Sequence, residues 1–263
     1  MELYKVLSKD LTSPFQNFKF ELGKKYVCRD FDSDATIDCS RGFYATDIDG
    51  LPYAYNINRS VFRVKVGGKS VEYNQFKRRY STIEIVSEVS LNELLEIAKP
   101  WDDKLGYKLT EVLNPIHPFK IIPPDAILDS HIENLKQWDS VWDSVGASVW
   151  DSVGASVWDS VGASVGDSVG VSVWVSVWDS VWDSVRASVR ASVRDSVGDS
   201  VGAYIGSFFP NISQWKYIKH APNIYPFLPA VILWKQGLVP SFDGKLWRLH
   251  GGEKGEILWK GKI

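Results

Sequence analysis

Valine recurs at every fourth position from residue 139 to residue 202, because this segment repeats one tetrapeptide, x-Ser-Val-x, sixteen times without interruption. The Ser and Val positions never vary. The first position is Asp, Ala or Val, and the fourth is Trp, Gly or Arg. This regularity predicts a repeat architecture in which successive tetrapeptides make equivalent contacts.

The period of four favours an extended chain over a helix. An α-helix turns about 100° per residue, so each Val is displaced by about 40° and the stripe circles the helix within about nine repeats. Ser, Val, Asp and Gly are also poor helix formers, each costing roughly 0.5–1 kcal/mol relative to Ala. An extended chain keeps its alternation of faces through an even period.

Aspartate begins nine of the tetrapeptides, and a flat strand would bury these carboxylates beside the valines at prohibitive cost. We therefore expect one bend per tetrapeptide, with Val inside and Asp near a corner. The predicted fold is mainly β: a β-solenoid built from the tetrapeptide repeats, flanked by a small α+β N-terminal domain and a small α+β C-terminal cap.

Hydrophobic patterning outside the repeats predicts further elements. Ser90 and Glu93 are spaced as a capping box for a helix. A short helix is expected over Pro226–Gln236, ended by Gly237, followed by hairpins that turn at Asp243-Gly244. Short strands are expected at Leu3–Leu7, Lys19–Glu21, Lys25–Cys28, Ser60–Val66 and Ser81–Val89.

These patterns predict four segments. They are a β-rich N-terminal domain at 1–90, a helical bridge and N-terminal cap at 91–138, the solenoid at 139–203 and a C-terminal cap domain at 204–263. After Gly202 the repeat passes into bulky residues, from Ala203 to Phe209. Bulky side chains in the Ser and Val places are expected to plug the open end of the solenoid.

The variable fourth position provides the candidate binding surface. A position that accepts Trp, Gly or Arg is a poor fit for a packed core, so we expect it to face solvent. Exposed indoles and guanidinium groups suit stacking and phosphate contacts. Neutral drift after tandem duplication, with the indoles packed on neighbouring parts of the chain, is the alternative. The candidate residues are Trp142, Trp150, Trp158, Trp174, Trp178, Trp182, Arg186, Arg190 and Arg194.

Charge and composition narrow the function classes. The formal net charge of −2 gives no general attraction to nucleic acid. We expect no membrane segment and no leader, hence a cytoplasmic protein. The four histidines are scattered singly, and the acidic run from Asp30 lacks the glycine of a calcium loop, which is Ala35 here. We expect no metal, no cofactor and no catalytic residue.

Two runs in the first third of the chain carry a family resemblance: Phe18-Lys19-Phe20-Glu21-Leu22-Gly23-Lys24-Lys25-Tyr26 and Cys39-Ser40-Arg41-Gly42-Phe43-Tyr44-Ala45-Thr46. With Tyr4-Lys5-Val6 before them and Phe62–Val66 after them, they resemble a small domain of unknown function found in phage and prophage proteins. Repeat-bearing members of that group are similar in the array, in its exit and in the closing Gly237–Gly252. The resemblance implies a viral origin, in the cytoplasm of an infected host cell or in the virion, and no known activity.

Three functions are compatible with these features. The first is a non-enzymatic, phage-encoded repeat protein whose variable Trp/Arg/Gly surface binds a macromolecule, with a protein as the expected partner. The second rests on a loose similarity of the runs around Gly42–Thr46 and Phe62–Val66 to ADP-ribosyltransferases, which implies Thr46 with Glu84 or Glu88 at a nicotinamide ribose; ordinary strand-edge residues are the alternative. The third is a structural rod or an element that forms homo-oligomers.

Overall fold

A computed structural model of the chain describes residues 2–14, 16–51, 59–74, 77–102, 104, 106–145, 148–165, 185 and 194–263. The chain divides into two units, Met1–Leu105 and Gly106–Ile263. This division falls within the segment 91–138 that the sequence predicts as a helical bridge. The four-segment division itself stays a prediction.

The N-terminal unit is an antiparallel sheet of five strands followed by a helix. Backbone hydrogen bonds between Tyr4 and Thr46, of 2.7 and 2.9 Å, join the chain after β3 to β1. Since β1 also pairs with β4, β4 with β5 and β5 with β3, the sheet closes on itself. The strands are β1 (Leu3–Ser8), β2 (Lys25–Val27), β3 (Phe43–Ala45), β4 (Arg59–Asn74) and β5 (Lys77–Val89), and the helix is α1 (Leu91–Ala98).

A lysine lies among the apolar residues inside this sheet. Leu3, Lys5 and Leu7 share one face of β1, and Leu7 belongs to the buried core. The Nζ atom of Lys5 donates a hydrogen bond to the Tyr44 carbonyl at 2.8 Å and lies 5.4 Å from the ring centroid of Phe20. Burial, and secondarily the positive charge of Lys77, lower the pKa of Lys5 to about 8.

The predicted start of α1 is confirmed. The Ser90 side chain accepts a hydrogen bond from the Glu93 backbone N–H at 3.3 Å, which satisfies one free donor of the first turn. The Glu93 carboxylate does not complete a capping box. It accepts a hydrogen bond from Arg63 on β4 at 2.8 Å instead and so ties the helix to the sheet.

The C-terminal unit contains helices from the repeats and a three-stranded antiparallel sheet ordered β6-β7-β8. The predicted helix that ends at Gly237 (φ +74°) and the predicted turn at Asp243-Gly244 (Gly244 φ +87°) are both confirmed. The helices are α2 (Leu109–Leu113), α3 (Asp129–Ser144), α4 (Val149–Val165), α5 (Arg194–Gly206) and α6 (Leu228–Lys235), and the strands are β6 (Val239–Phe242), β7 (Trp247–Gly251) and β8 (Glu256–Gly261).

The predicted β-solenoid is wrong, because the described tetrapeptides form α-helices: the end of α3, all of α4 and most of α5. The longest described helix of the repeats, α4, has 17 residues, about half the length over which the valine stripe would circle a helix, and this removes the objection to a helical repeat. Val149, Val153 and Val157 are all buried, and across these three the stripe drifts by only about 80°, which fits within the roughly 100° apolar face of an ordinary helix. Tertiary packing of this face outweighs the weak helix propensity of Ser, Val, Asp and Gly.

Helix α5 lies at the centre of the C-terminal unit. Every residue from Ser196 to Gly206 is buried, and α5 packs against α4, α6 and β6. A Cβ atom added to Gly202 would lie 3.4 Å from the Cα atom of Trp150, so the fourth position faces a neighbouring helix here and not solvent. This glycine allows α4 and α5 to approach closely.

Replacing Lys5 with Met should change the pH dependence of stability. Between about pH 8 and 10.5 the unfolded chain keeps the lysine proton that the folded chain releases, so the stability of the natural protein rises with pH in this window. The Lys5→Met variant should therefore be more stable than the natural protein at pH 7, and its advantage should shrink towards pH 10. Urea denaturation across this pH range measures the difference. Lys65→Met, which changes an exposed lysine of β4, is the control, and an equal advantage at all pH values would contradict the assignment.

Candidate binding surfaces of the repeat helices

Two invariant serines of α4 bind the main chain of one residue in the loop between α5 and α6. The Lys216 backbone N–H donates to Ser156 Oγ at 2.8 Å, and Ser152 Oγ donates to the Lys216 carbonyl oxygen. The hydroxyl of Ser156 also donates to the Ser152 carbonyl at 2.6 Å. Asp159, further along α4, pairs with Lys216 Nζ at 2.5 Å. One residue of the loop is thus held through its N–H, its C=O and its side chain.

The same contact occurs on α5 with a different partner. The Phe242 backbone N–H donates to Ser196 Oγ at 2.8 Å, and Ser196 Oγ donates to the Phe242 carbonyl at 3.2 Å. Phe242 is the last residue of β6. A serine hydroxyl has one donor and two acceptor sites, so a single serine satisfies both peptide groups. In both helices the invariant Ser binds main chain while the adjacent Val is buried.

A buried carboxylate on α5 joins three of the repeat segments. Asp199 Oδ2 accepts a hydrogen bond from the Trp142 indole N–H at 2.7 Å, and Oδ1 accepts from the Trp150 backbone N–H at 3.2 Å. Trp150 lies in the first turn of α4, where the helix dipole favours negative charge. Burial raises the pKa of Asp199, and the hydrogen bonds from Trp142 and from the first turn of α4 oppose that shift.

The start of α4 has a second cap from within its own tetrapeptide. Ser148 Oγ accepts a hydrogen bond from the Asp151 backbone N–H at 3.0 Å. Ser at the helix start with Asp three residues later is a favourable N-terminal sequence. The invariant Ser of the repeat therefore serves as a helix cap at one place and as a main-chain ligand at others.

The structure brings two of the nine predicted binding residues together, Trp142 and Trp150, around Asp199. Both are half-buried. The Trp142 ring packs edge-on against Phe242 and Trp247 of the C-terminal sheet, at centroid distances of 5.8 and 5.7 Å. At this position the indole therefore contacts its own unit.

The structure does not describe the side chains of the other seven predicted residues. Trp158 lies in α4 and Arg194 begins α5, but their side chains lie outside the part that the structure describes. The remaining five lie outside the described residues altogether: Trp174, Trp178, Trp182, Arg186 and Arg190. The predicted Trp/Arg/Gly surface therefore stays a prediction.

A groove of about 660 Å³ opens beside α3, between two of its tetrapeptides and the segment that leads into α6. Ile224 and Leu228, which are 58 and 49 % exposed, are part of its apolar lining, here called the apolar floor. Lys219 and His220 also line the groove. The lining residues are Gln137, Ser140, Val141, Ser144, Ile218, Lys219, His220, Ile224, Tyr225, Pro226, Leu228, Pro229 and Ile232.

The N-terminal unit places the residues of the transferase alternative on separate strand positions. Thr46 Oγ1 is buried without a hydrogen-bond partner among the described residues. Glu84 lies opposite Lys25 on β2 and Lys65 on β4, and Glu88 lies opposite Phe62. None of these observations favours a nucleotide site.

Among the described residues, no three or more His, Cys, Asp or Glu side chains are grouped so that they could hold a metal ion. No helix in the same residues is long and apolar enough to cross a membrane.

Sequence reasoning missed the serines and Asp199 as the side chains that make the specific contacts. The signal for the serines was present, because an invariant Ser in a repeat of otherwise variable polar positions indicates a required hydrogen bond. No sequence signal distinguishes Asp199 from the other eight aspartates that begin a tetrapeptide, since its role depends on what packs against it.

Comparison with known proteins gives one result. Residues 1–97 match the family model described as Domain of unknown function (DUF7666). The N-terminal part of the chain is therefore a domain of unknown function, as the resemblance predicted. No curated protein and no solved structure matches the chain. The viral origin and the similarity further along the chain stay predictions.

Asp199→Ala should destabilise the C-terminal unit strongly. The change removes the acceptor for the α4 amides and leaves the Trp142 indole N–H unpaired, so we expect a loss of about 2–4 kcal/mol in the free energy of unfolding. Urea denaturation followed by circular dichroism measures it. The matched control is Asp143→Ala, an exposed first-position residue, for which we expect a change within about 0.5 kcal/mol. Equal losses in the two variants would contradict the role of Asp199.

Ser196→Ala should also destabilise the unit, because it leaves the Phe242 N–H and C=O without their partner on α5. The expected loss is about 1–3 kcal/mol, the cost of unpaired buried peptide groups. Ser140 occupies the same position in the first tetrapeptide, and its side chain is exposed. Ser140→Ala should therefore change the free energy of unfolding by less than about 0.5 kcal/mol. Thermal unfolding of the three proteins at one pH compares them, and a Ser196→Ala protein as stable as the natural one would contradict the contact.

Proposed function

We propose that this chain is a non-catalytic binding protein in which the x-Ser-Val-x tetrapeptides recognise the main chain of a partner protein. One observation carries the proposal: on two different helices, invariant serines of the repeat bind both peptide groups of a single residue, two serines on α4 and one on α5. The bound residues, Lys216 and Phe242, have unrelated side chains and lie in a loop and at a strand end.

The contact suits recognition of varied sequences. Each peptide group offers the same donor and acceptor whatever its side chain, so main-chain bonds supply affinity and the neighbouring pockets supply specificity. The invariant Val anchors the helix, and the invariant Ser faces the bound segment. Ser152 and Ser156 lie one helical turn apart, which lets one hydroxyl donate and the other accept.

The number of copies supports the same function. The chain contains sixteen tetrapeptides, and linked binding elements raise the effective concentration of the next contact. The variable fourth position would then select among partners through stacking by Trp or ion pairing by Arg. We propose that this variable surface provides the specificity of binding. It includes the seven candidate side chains that the structure does not describe.

The partner class follows from the same argument. A surface that binds peptide N–H and C=O groups next to an apolar anchor fits a protein segment better than a nucleic acid, and the net charge of −2 adds no attraction to phosphate. If the viral origin implied by the N-terminal runs holds, the partner is a host or viral protein in the infected cell or in the virion.

Selection of short random peptides on the immobilised full chain tests this function. We expect recovery of peptides that share apolar residues but no strict sequence, since the main chain supplies most of the contacts. An unrelated protein of similar net charge, immobilised in the same way, is the control. Failure to enrich any peptide above that control would overturn the proposed function.

A further inference from the structure

The groove beside α3 contains a pair of serines with the same spacing as the pair on α4 that binds Lys216. Ser140 and Ser144 lie four residues apart on either side of Val141, as Ser152 and Ser156 lie on either side of Val153. Both serines of the α3 pair are exposed and line the groove. The covered pair on α4 therefore shows what this arrangement binds when a segment lies over it.

The second hydroxyl of each pair donates to a carbonyl of its own helix. Ser144 Oγ donates to the Val141 carbonyl, three residues back, at 2.7 Å, whereas Ser156 Oγ donates to the Ser152 carbonyl, four residues back, while it accepts the Lys216 N–H. Ser144 thus keeps acceptor sites for a peptide N–H. Ser140 corresponds to Ser152, which donates to the peptide C=O.

The rest of the groove determines what the bound segment carries. Ile224 and Leu228 present apolar surface next to the serine pair, and the volume of about 660 Å³ falls in the usual range of roughly 300–1,000 Å³ for binding pockets. Lys219, which also lines the groove, is exposed and forms no ion pair with a described residue. An apolar side chain followed by a carboxylate complements these features.

The groove wall is held in place by internal hydrogen bonds. His220 Nε2 accepts the Trp215 backbone N–H at 2.8 Å, and its Nδ1 lies 2.8 Å from the Ala221 carbonyl. The Tyr225 hydroxyl donates to the Ala203 carbonyl on α5. A preformed wall lowers the ordering cost of binding.

We infer that this groove binds one residue of a partner protein segment through its main chain, with Ser144 accepting its N–H, Ser140 donating to its C=O and the apolar floor receiving its side chain. The bound residue is apolar and is followed by an acidic residue that faces Lys219. This inference rests on the proposed function and assigns its site.

The chain itself contains a segment with the required chemistry. Phe242 is held by Ser196 through both peptide groups and is followed by Asp243. A synthetic peptide that copies residues 238–244, with blocked ends and a fluorescent label, is therefore the probe. Fluorescence anisotropy with the full chain measures its affinity.

Substitutions that leave the fold intact locate the peptide. Ser140→Ala combined with Ser144→Ala should weaken binding about tenfold, the combined effect of two hydrogen bonds. Ile224→Lys places a charged chain over the apolar floor and should weaken binding by about tenfold or more. Both sites are exposed, and circular dichroism checks the fold. Ser130→Ala, an exposed serine of α3 outside the groove, should bind the probe as tightly as the natural protein.

Three results would overturn the inference. The first is no measurable binding of the probe, and the second is equal binding of the probe by the natural and Ile224→Lys proteins. The third is self-association of the chain that the Ile224→Lys substitution abolishes, because a second copy would then be the occupant of the groove. Each leaves the proposed function standing if the random-peptide selection succeeds. Failure of that selection as well removes the function together with its site.

Discussion

The arrangement of the repeat helices depends on a carboxylate that is buried where three of them meet. Asp199 on α5 receives hydrogen bonds from Trp142 on α3 and from Trp150 in the first turn of α4. An unpaired carboxylate in this place would be prohibitively unstable. Helix α5 is buried from Ser196 to Gly206, so its position is set by where its polar groups find partners.

This constraint also resolves an ambiguity inherent in a perfect repeat. Sliding one helix by four residues past another leaves every Ser and Val in an equivalent place, so the invariant positions alone permit several registers. The variable positions distinguish them, because Asp199 needs the α4 amides and Gly202 must face Trp150. The variable residues thus contribute to specifying one structure, in the way that single polar residues fix register in other repetitive folds.

The invariant serine explains how a polar repeat forms a buried helix and why its surface suits binding. In α5 and α4 the serines pair with peptide groups of Phe242 and Lys216, which removes the penalty for burying a hydroxyl. Where no described segment covers the helix, as at Ser140 and Ser144, the same groups face a groove. The contact that stabilises the unit and the contact proposed for its partner are therefore one interaction. The N-terminal unit, by contrast, closes a sheet around an apolar core, and the half-buried Lys5 shares a strand face with Leu7 of that core.

The sequence by itself determined the local features. The burial of the described Val149, Val153 and Val157, the Ser90 cap and the turn at Asp243-Gly244 follow from side-chain chemistry and neighbouring residues. Only the tertiary structure decided that the described repeats are helices, because a period of four fits a bent strand over many copies and a helix over a few. It also decided the place of Trp142 and the groove at Ile224. Those depend on contacts between residues far apart in sequence, and the Ser and Val that are invariant in all sixteen tetrapeptides do not specify which copy contacts which partner.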